Sequence, residues 1–531
     1  MTRIVFYEKP GCANNARQKK LLLAAGHEVF EKNLLTEPWT ASRLREFFGA
    51  RPVAEWFNRA APRVKNGEIF PETMNEAAAL RAMVEDPLLI RRPLLEAGEI
   101  RLAGFDSPQV ARWLGDNTAA SDDDLAQACH RQRPCPSPAA EAMSTAADIV
   151  LAYHERTKHH LQRYAAGPET LDWSMQPDPF RSFAGAPRIA LPFTADGLAT
   201  RYAQLAPAES VSPQAPGLDA LGALLELSLG LSAWKEYGPD RWALRCNPSS
   251  GNLHPTEGYV LSRGMPGLAD GVYHYLSREH CLEQRLALPA SSPPPGLYVA
   301  LSSVHWREAW KYGERAFRYC QLDTGHALGA LRYAAAALGW KATLAAPQSP
   351  ATLGAWLGLD RAEDYAGVES EEPELLLALQ PAAVGDPPAW VPGPAPAGVW
   401  AGRPNRLDPH PMYQWPVIDE VAAASRPPST PPDAGPLPAC PPREEICTEA
   451  AADILRRRRS AQRFDPGGSM ESTAFFHLLD ALLARATVPW DVWAYAPRVH
   501  PLLFVHRVVG WRPASTPYRA ARTENASCAP R

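Results

Sequence analysis

Proline-dense stretches divide this chain of 531 residues into separate blocks. The chain contains 55 prolines, which are concentrated in Asp386–Pro396 and Arg426–Pro442. Because proline lacks a backbone donor and fixes φ, helix and sheet interiors do not continue through such segments. A third irregular stretch, residues 116–140, combines an acidic run with alternating prolines. The sequence therefore predicts several folded blocks joined by stiff connectors.

Charge and cysteine content narrow the class of protein. The chain has 54 lysines and arginines against 58 aspartates and glutamates, for a net charge of −4. This balance argues against a strongly basic nucleic-acid-binding protein, so we expect no nucleic-acid partner. Nine cysteines are too few for a disulfide scaffold of this length. Since no apolar run reaches the roughly 20 residues of a membrane span and residues 1–10 do not have the pattern of a signal peptide, we expect a cytoplasmic protein with no membrane partner.

The first block begins with a strand, a helix and a second strand. Residues 3–8 alternate and are rich in β-forming residues, Asn14–Ala25 has a helical pattern, and His27–Leu34 predicts the next strand. Two strands joined by a helix favour parallel pairing. The apolar pattern continues to about residue 116, which predicts a domain over 1–116.

The loop before the first helix carries a cysteine. Cys12 lies at the predicted helix N-terminus, where the helix dipole and unpaired N–H groups stabilise a thiolate. Arg17 adds a positive charge in the first helical turns. A capping-region cysteine without chemistry would have the same position, so the residues leave both interpretations open.

Three segments of this block resemble the thioredoxin-fold arsenate reductase superfamily, and within it the small nitrogenase-associated proteins. They are the Cys12 loop, Trp56–Arg59 and Pro87–Leu94. The resemblance implies that Cys12 is redox-active and that Arg17 and Arg92 help to hold an oxyanion. Because the spacing from Cys12 to Arg17 differs and a further family arginine is missing, we expect a redox-sensing, docking or degenerate role, with a protein partner in the docking case. By analogy, the resemblance also implies a tie to nitrogen-fixation physiology.

The loop Arg245–Glu257 combines an arginine, two asparagines, two serines and a glycine. Such a loop offers side-chain and backbone donors to a phosphate, and glycine permits close approach. It contains neither GxGxxG nor a P-loop pattern, so it is not a dinucleotide-fold or P-loop signal. From the residues alone, an ordinary polar turn is the simpler interpretation.

Residues 145–385 resemble the SagB-type, FMN-dependent nitroreductase family, which includes azoline dehydrogenases. The motifs follow in family order: RxxPSxGxxxPxE in Arg245–Glu257, then His305–Tyr319, then Asp323–His326. The resemblance implies an α+β domain that binds FMN. It assigns FMN binding to Arg245, Pro248, Ser249, Ser250, Gly251 and Asn252.

The same resemblance assigns the base chemistry to two adjacent residues, Lys311 and Tyr312. A buried lysine near a flavin has a lowered pKa, and a tyrosine donates or relays a proton. The alternative is a solvated helix lysine beside a packing tyrosine. With the resemblance, we favour the catalytic interpretation.

Four consecutive arginines, Arg456–Arg459, precede a serine. A run of this kind is usually a solvated face or a nucleic-acid patch. The segment also resembles the one that opens nitroreductase domains, which implies contacts with the FMN phosphate. The residues carried over are Arg458, Arg459, Ser460 and Arg463. The resemblance thus predicts a partial second copy, shorter than a complete nitroreductase domain.

Histidines and linker cysteines predict no metal site. His154, His159 and His160 lack the cysteines or carboxylates of a zinc pattern, so exposed helix histidines are favoured. Cys129 and Cys135 could form a redox pair or bind metal, and unpaired linker thiols are the favoured interpretation.

The predicted fold class is α/β and α+β multidomain. A thioredoxin-like N-terminal domain is followed by a nitroreductase-like α+β FMN-binding domain and a partial second nitroreductase-like copy. The predicted boundaries are 1–116, a linker over 117–144, 145–385, a proline-rich connector over 386–443, 444–510, and a disordered tail over 511–531.

The predicted function is FMN-dependent oxidoreduction of a small-molecule or peptide substrate. We expect FMN to lie between two nitroreductase-like copies, in an intramolecular pseudo-dimer or a homodimer. Two alternatives stay open at this point. One is a regulatory or scaffold protein with a degenerate flavin site, and the other is a thiol-based oxidoreductase that uses Cys12.

Overall fold

The computed structural model divides the chain into two compact units. The first contains Met1–His159 and His410–Ala424, and the second contains His160–Pro409 and Ser425–Arg531. The residues described are 2–9, 13–59, 61–65, 69–114, 145–160, 164–168, 171–206, 211–289, 296–345, 349–386, 398–408, 411, 413–426, 440–441, 443, 447–461, 463–493, 495, 497, 499–511 and 514–517. Cys12, Cys129 and Cys135 lie outside these ranges.

The first unit is built on a four-stranded mixed sheet in the order β2-β1-β3-β4. The predicted parallel pairing of the first two strands is confirmed, with Arg3 opposite Glu28, while β3 runs antiparallel to β1 and to β4. The elements are β1 (Arg3–Glu8), α1 (Ala13–Ala24), β2 (Glu28–Asn33), α2 (Ala41–Phe48), α3 (Pro62–Lys65), α4 (Glu76–Glu85), β3 (Leu94–Ala97), β4 (Ile100–Ala103) and α5 (Pro108–Leu114).

Alternation along β1 gives this sheet a core on each face. Ile4 and Phe6 belong to a buried cluster with residues of α1 and α5. Tyr7 belongs to the opposite cluster, with residues of α2 and α4. Two more helices of this unit, α6 (Ala146–Thr157) and α11 (Pro416–Ala424), pack against each other.

The second unit is built on a seven-stranded antiparallel sheet in the order β13-β14-β12-β9-β10-β11-β6. Its elements are β5 (Phe183–Ala184), β6 (Arg188–Ala190), α7 (Leu218–Ser228), β7 (Leu231–Tyr237), β8 (Asp240–Arg245), β9 (Thr256–Arg263), β10 (Gly271–Leu276), β11 (Cys281–Ala287), β12 (Gly296–Ser303), α8 (His305–Tyr312), α9 (Ala316–Ala337), β13 (Trp340–Leu344), α10 (Pro350–Leu357), β14 (Glu372–Pro381), β15 (Arg403–Pro404), α12 (Ala451–Arg457), α13 (Ser472–Ala481), β16 (Leu502–Val505) and β17 (Ala514–Pro517).

This sheet also separates two cores. Val260 and Val299 face the larger cluster, which includes residues of α7 and α9. Tyr259 and Tyr298 face the smaller cluster, which includes residues of α10. The two central strands are buried on both faces, as their nearly continuous burial shows.

Within the described residues of the second unit, three pairs of strands stand apart from this sheet: β5–β15, β7–β8 and β16–β17. The hairpin β7–β8 joins residues 231–245, although the apolar pattern from Leu218 predicts a helix as far as Leu231. The helix ends at Ser228 instead. The pair β16–β17 places Ala514–Pro517 as a strand inside the segment that the sequence predicts to be disordered. Within the described residues, no helix is long and apolar enough to cross a membrane.

Candidate functional site

A cavity of about 710 Å³ opens in the second unit beside the loop that joins β8 to β9. Its volume lies within the range of roughly 300–1,000 Å³ that is usual for ligand pockets. Segments far apart in sequence meet in its walls. Nine predicted residues are among them: Arg245, Pro248, Ser249, Gly251, Asn252, Lys311, Arg458, Arg459 and Ser460.

Three predicted residues within the described chain do not line this cavity: Ser250, Tyr312 and Arg463. The Ser250 amide and hydroxyl both donate to the Asp323 carboxylate, at 3.0–3.1 Å. Because Asp323 is on α9, these bonds fasten the loop to that helix. Arg463 is exposed.

Gly251 sets the closest approach between this loop and α8. Its φ is +63°, and a Cβ placed there would lie 2.6 Å from the Tyr312 hydroxyl and 3.1 Å from Lys311 Nζ. Only glycine leaves room for both groups. Tyr312 therefore lies directly behind the loop, although it is not in the cavity wall.

Aromatic rings position the Lys311 amine. Its Nζ lies 5.2 Å from the centroid of the Trp173 ring and 5.5 Å from that of Tyr312, distances at which a ring face attracts a cation. Burial, together with the Glu308 carboxyl, raises the pKa of Tyr312 to about 12. The Tyr312 hydroxyl is therefore protonated at neutral pH and available as a donor.

A buried carboxyl lies one helical turn before this pair. Glu308 is fully buried, and neither carboxyl oxygen has a hydrogen-bond partner among the described residues. Burial raises the pKa of Glu308 well above its usual value, and the nearby Asp323 acts in the same direction. Burial therefore favours the protonated form of Glu308.

Arg245 lies beneath the loop as a buried cation. It donates to the backbone oxygens of Thr256 and Pro179, at 3.3 and 2.6 Å. Burial lowers the pKa of Arg245 to about 10, against the opposing influence of Glu257. Arg245 lines the cavity, while one donor on each of its two Nη groups is engaged by a backbone oxygen.

A buried ionic cluster supports the far end of the loop. Both ring nitrogens of His274 face carboxylates, Glu257 at 3.0 Å and Glu283 at 3.1 Å. Since each nitrogen must donate, the ring is a cation, and hydrogen bonds to these two groups raise the pKa of His274 against the effect of burial. Arg307 also donates to Glu257. The cluster fixes Glu257, the last residue of the loop motif.

The four arginines Arg456–Arg459 make two kinds of contact. Arg456 pairs with the buried Glu226 at 3.1 Å, and Arg457 pairs with Glu449. Arg458 instead donates to the Cys246 oxygen at 3.3 Å, and Arg459 to the Ser232 oxygen at 3.4 Å. The last two arginines thus join the cavity walls, as the sequence predicts, and the first two form ion pairs.

One wall of the cavity was not predicted from the sequence. Lys235, Asp240, Arg241, Trp242 and Leu244 of the β7–β8 hairpin line it. The signal for this hairpin is present: Gly238-Pro239 lies between two alternating segments, and such dipeptides mark turns. Trp173, Gln176, Asn247 and His254 complete the lining. Asn247 and His254 belong to the predicted loop Arg245–Glu257, although neither was assigned to the site, and no local pattern distinguishes Trp173 or Gln176.

The side chains that line the cavity suit an anionic ligand that also carries polar groups. Six cationic side chains and one carboxylate line the cavity. Three buried atoms of lining residues have no hydrogen-bond partner among the described residues: Arg245 Nε, Asn247 Oδ1 and His254 Nδ1. Buried polar atoms usually have partners, and a bound ligand or water supplies them. The donor set therefore suits a phosphate-bearing ligand.

In the first unit, the structure describes two of the three predicted site residues. Arg17 donates to the Asn14 side chain at 2.8 Å on α1. Arg92 lies in the loop before β3, next to Arg91, which pairs with Asp106 at 2.7 Å. Cys12 lies outside the described residues, so the predicted oxyanion site stays a prediction. Within the described ranges, no group of three or more histidine, cysteine or acidic residues is placed to hold a metal ion.

Comparisons with known proteins decide the identity of the N-terminal part. Residues 7–113 match the ArsC family. An uncharacterized 15.7 kDa protein from the draG 3′ region of Rhodospirillum rubrum is 53% identical over 115 residues, which are 22% of this chain and 80% of the relative. The chain belongs to the ArsC family. The ArsC-family domain is also 32% identical over 97 residues to an arsenate reductase of Synechocystis sp., covering 17% of this chain and 67% of that protein. The predicted thioredoxin-like domain is thereby confirmed.

Much of the chain beyond the ArsC-family domain has a nitroreductase-like fold. A candidate nitroreductase from Anabaena variabilis superposes with a TM-score of 0.50 at 21% identity, covering 70% of this chain and 77% of that one. A candidate nitroreductase of Methanocaldococcus jannaschii is 29% identical over 119 residues, 19% of this chain, and the chain spans 59% of that relative's length. The predicted fold class, an ArsC-family domain fused to a nitroreductase-like α+β part, is confirmed.

Proposed function

We propose that this chain is an FMN-dependent oxidoreductase of the SagB type, with its flavin in the cavity of the second unit. One observation carries the proposal: the loop Arg245–Asn252, Lys311 and the segment Arg458–Ser460 line a single cavity. These segments were assigned to FMN from the resemblance alone, and a polar turn, a solvated lysine and a solvated arginine run would have no reason to meet.

In this proposal, different residues of the chain bind the cofactor and handle the proton. Bound FMN supplies hydride transfer. Arg458 and Arg459 offer guanidinium groups that suit a phosphate, and Gly251 leaves room for the Tyr312 hydroxyl and Lys311 Nζ beside the loop. The Tyr312 hydroxyl, whose pKa burial raises to about 12, holds a proton for donation, and Lys311 Nζ lies in the cavity wall as the second proposed catalytic group.

The predicted pairing of two nitroreductase-like copies is part of this proposal. Arg458–Ser460 come from the predicted partial second copy, and they close a cavity whose loop belongs to the first. The Anabaena structure covers 70% of this chain, which is more than residues 145–385 contain. An intramolecular pseudo-dimer accounts for both observations.

The test is the visible absorption of the purified chain before and after heat release of bound small molecules. We expect a flavin band near roughly 450 nm and FMN released at up to one per chain. Arg458→Gln should lower the flavin content, and Arg457→Gln, whose arginine pairs with Glu449 away from the cavity, serves as the control. A colourless chain that fails to take up added FMN would overturn the proposal in favour of the scaffold alternative.

A second candidate function is thiol-based reduction by the ArsC-family domain, with Cys12 as the thiol and Arg17 and Arg92 holding an oxyanion. The identity of 32% with an arsenate reductase supports it. Arsenate-dependent oxidation of a thiol reductant by the full chain, lost in Cys12→Ser and kept in Lys311→Ala, is the expected result. Equal turnover by the wild type and Cys12→Ser would contradict it. The docking partner and the tie to nitrogen fixation stay predictions.

A further inference from the structure

The second unit contains another cavity, of about 570 Å³, which we call the second cavity. It shares no lining residue with the first cavity, the one beside the β8–β9 loop. Residues of α9, α10, β13 and β14 line it, together with five residues that follow α13: Pro489, Trp490, Val492, Trp493 and Tyr495. Its volume also lies within the range of roughly 300–1,000 Å³ that is usual for ligand pockets.

The segment that carries the aromatic lining residues is fixed to the unit. Arg332 of α9 donates to both carboxylate oxygens of Asp491, at 2.8 and 2.7 Å. Val492 is buried in the larger core cluster, and the Trp490 indole donates to the Ala481 oxygen at 3.2 Å. The second cavity is therefore bounded by an anchored wall.

The two cavities are lined by corresponding stretches of the chain. A helix, a connection that ends in His-Pro and a strand occur twice: α7, His254-Pro255 and β9, then α13, His500-Pro501 and β16. Counted back from each His-Pro, the second stretch has Trp490, Trp493 and Tyr495 where the first has Leu244, Asn247 and Ser249. The second stretch thus presents aromatic rings in place of an aliphatic side chain, an amide and a hydroxyl.

The charge of the second cavity is also different. Its lining residues include one carboxyl, that of Glu374, and no cationic side chain. The Gln321 amide donates to both oxygens of Glu374, at 3.0 and 2.9 Å, and the Ser303 hydroxyl donates to the same carboxyl. These donors are neutral, and within the described residues no cation pairs with Glu374. Burial raises the pKa of Glu374, and the neighbouring Glu372 acts in the same direction.

Two glycines of α9 leave space in the second cavity. Gly325 and Gly329 are four residues apart, so they share a face of the helix. Apart from the helix backbone, no described atom lies within 4 Å of the Cβ that either glycine would gain. Trp493 is 41% exposed, and its ring centroid lies 5.1 Å from that of Tyr495. Such rings offer apolar surface, and their faces attract cations.

We propose that the second cavity binds a small organic amine, whose apolar body lies against the Trp493 and Tyr495 rings and whose ammonium group pairs with Glu374. The inference goes beyond the proposed function, because the second cavity shares no lining residue with the first and needs no flavin. The second unit then has two sites of opposite preference, one for an anion and one for an ammonium ion.

The test is titration calorimetry of the full chain with 2-phenylethylamine, which is a cation at neutral pH, and with 2-phenylethanol, its neutral counterpart of similar size. We expect the amine to bind about tenfold more tightly, by about 1.4 kcal/mol, because hydrogen bonds between ammonium and carboxylate are charge-assisted. Glu374→Gln keeps the shape of the side chain and should remove most of that preference. Glu363→Gln, an equal charge change at an exposed pair with Arg361, should change neither affinity.

A second variant tests the space. Gly329→Leu places an aliphatic side chain in the second cavity and should abolish binding of both probes. Leucine has a higher helix propensity than glycine, so an unchanged or raised urea midpoint checks that the variant is folded. If it does not fold, the result with Glu374→Gln decides alone. Added FMN should change neither affinity.

Four results would each overturn the inference: binding of neither probe, equal affinity for both, a preference that survives Glu374→Gln, or binding that survives in folded Gly329→Leu. Competition between FMN and the amine would place the amine in the first cavity and would also overturn it. Flavin content is measured on the same samples, so failure of the proposed function is distinguishable. A chain without flavin that still prefers the amine through Glu374 would refute the proposed function alone.

Discussion

Replacing Gly251 by alanine tests the contact between the loop and the two catalytic candidates. The φ of +63° costs an L-residue about 1–2 kcal/mol. The added Cβ would also lie 2.6 Å from the Tyr312 hydroxyl and 3.1 Å from Lys311 Nζ, and such overpacking costs about 1–3 kcal/mol. We therefore expect Gly251→Ala to lower the free energy of unfolding by about 2–5 kcal/mol.

Gly367→Ala is the matched control. Its φ is +78°, and no described atom lies within 4 Å of the Cβ it would gain. Only the backbone cost of about 1–2 kcal/mol should apply there. The difference between the two variants isolates the steric overlap at Tyr312 and Lys311.

The assay is urea unfolding followed by tryptophan fluorescence, with flavin retention measured on the same samples. A double variant, Gly251→Ala with Tyr312→Phe, removes the hydroxyl that the new Cβ meets. Coupled contacts show interaction energies of about 0.5–3 kcal/mol, so part of the loss should return. If Gly251→Ala costs no more than Gly367→Ala, or if Tyr312→Phe recovers nothing, the close approach of loop and helix is wrong.

Four further outcomes follow from the same site. Arg458→Gln should raise the FMN dissociation constant about tenfold in a flavin-fluorescence titration, because a charge-assisted contact is worth about 1.5–3 kcal/mol, while Arg457→Gln should leave it unchanged. Lys311→Ala should slow single-turnover flavin reduction by substrate about 100-fold with flavin content retained, and an unaltered rate would remove Lys311 from the chemistry. Because Glu257 and Glu283 raise the pKa of His274, the stabilisation of the fold by this imidazolium is full below pH 6.5 and is lost as the pH rises through the raised pKa. The difference in urea midpoint between the wild type and His274→Gln should therefore shrink from pH 6 to pH 9. A difference that widens would contradict the imidazolium assignment. Burial raises the pKa of the Cys246 thiol to about 12, so iodoacetamide mapping of the native chain at pH 8 should find it unmodified, and early alkylation would show that it is accessible.

The family motifs predicted which segments of the chain would meet in the cavity. The loop Arg245–Asn252, Lys311 and Arg458–Ser460 were assigned from a family resemblance, and the structure brings them together. Periodicity alone supports none of these assignments, since each segment has an ordinary structural explanation. The strands and the parallel start of the first unit follow from alternation and from the crossover helix.

The β7–β8 hairpin was not predicted because the helical pattern before it overlaps its first residue. Leu218–Leu231 is mostly apolar, so the predicted helix extends over the first residue of β7. Burial on every side removes the periodic contrast that would mark the end of the helix. The Gly238-Pro239 turn was the better local signal for residues 231–245.

Side-chain partners across strands could not be predicted from the sequence. His274 lies opposite Glu283 in β11, and it reaches Glu257 in β9 on its other side. Such contacts depend on strand order and register, and a shift of one residue would turn His274 to the opposite face. The same holds for Glu308, whose burial depends on α9 packing beside it.

The bond from Arg458 to the Cys246 oxygen spans 212 residues of sequence. At a synthesis rate of about 5–20 residues per second, the loop leaves the ribosome roughly 10–40 s before the arginine segment that faces it. During that interval the cavity has no second wall, and the loop folds around open solvent. A ligand that needs both walls is therefore captured only after the arginine segment has been made, and premature termination anywhere in the proline-rich connector yields a product that lacks Arg458–Ser460.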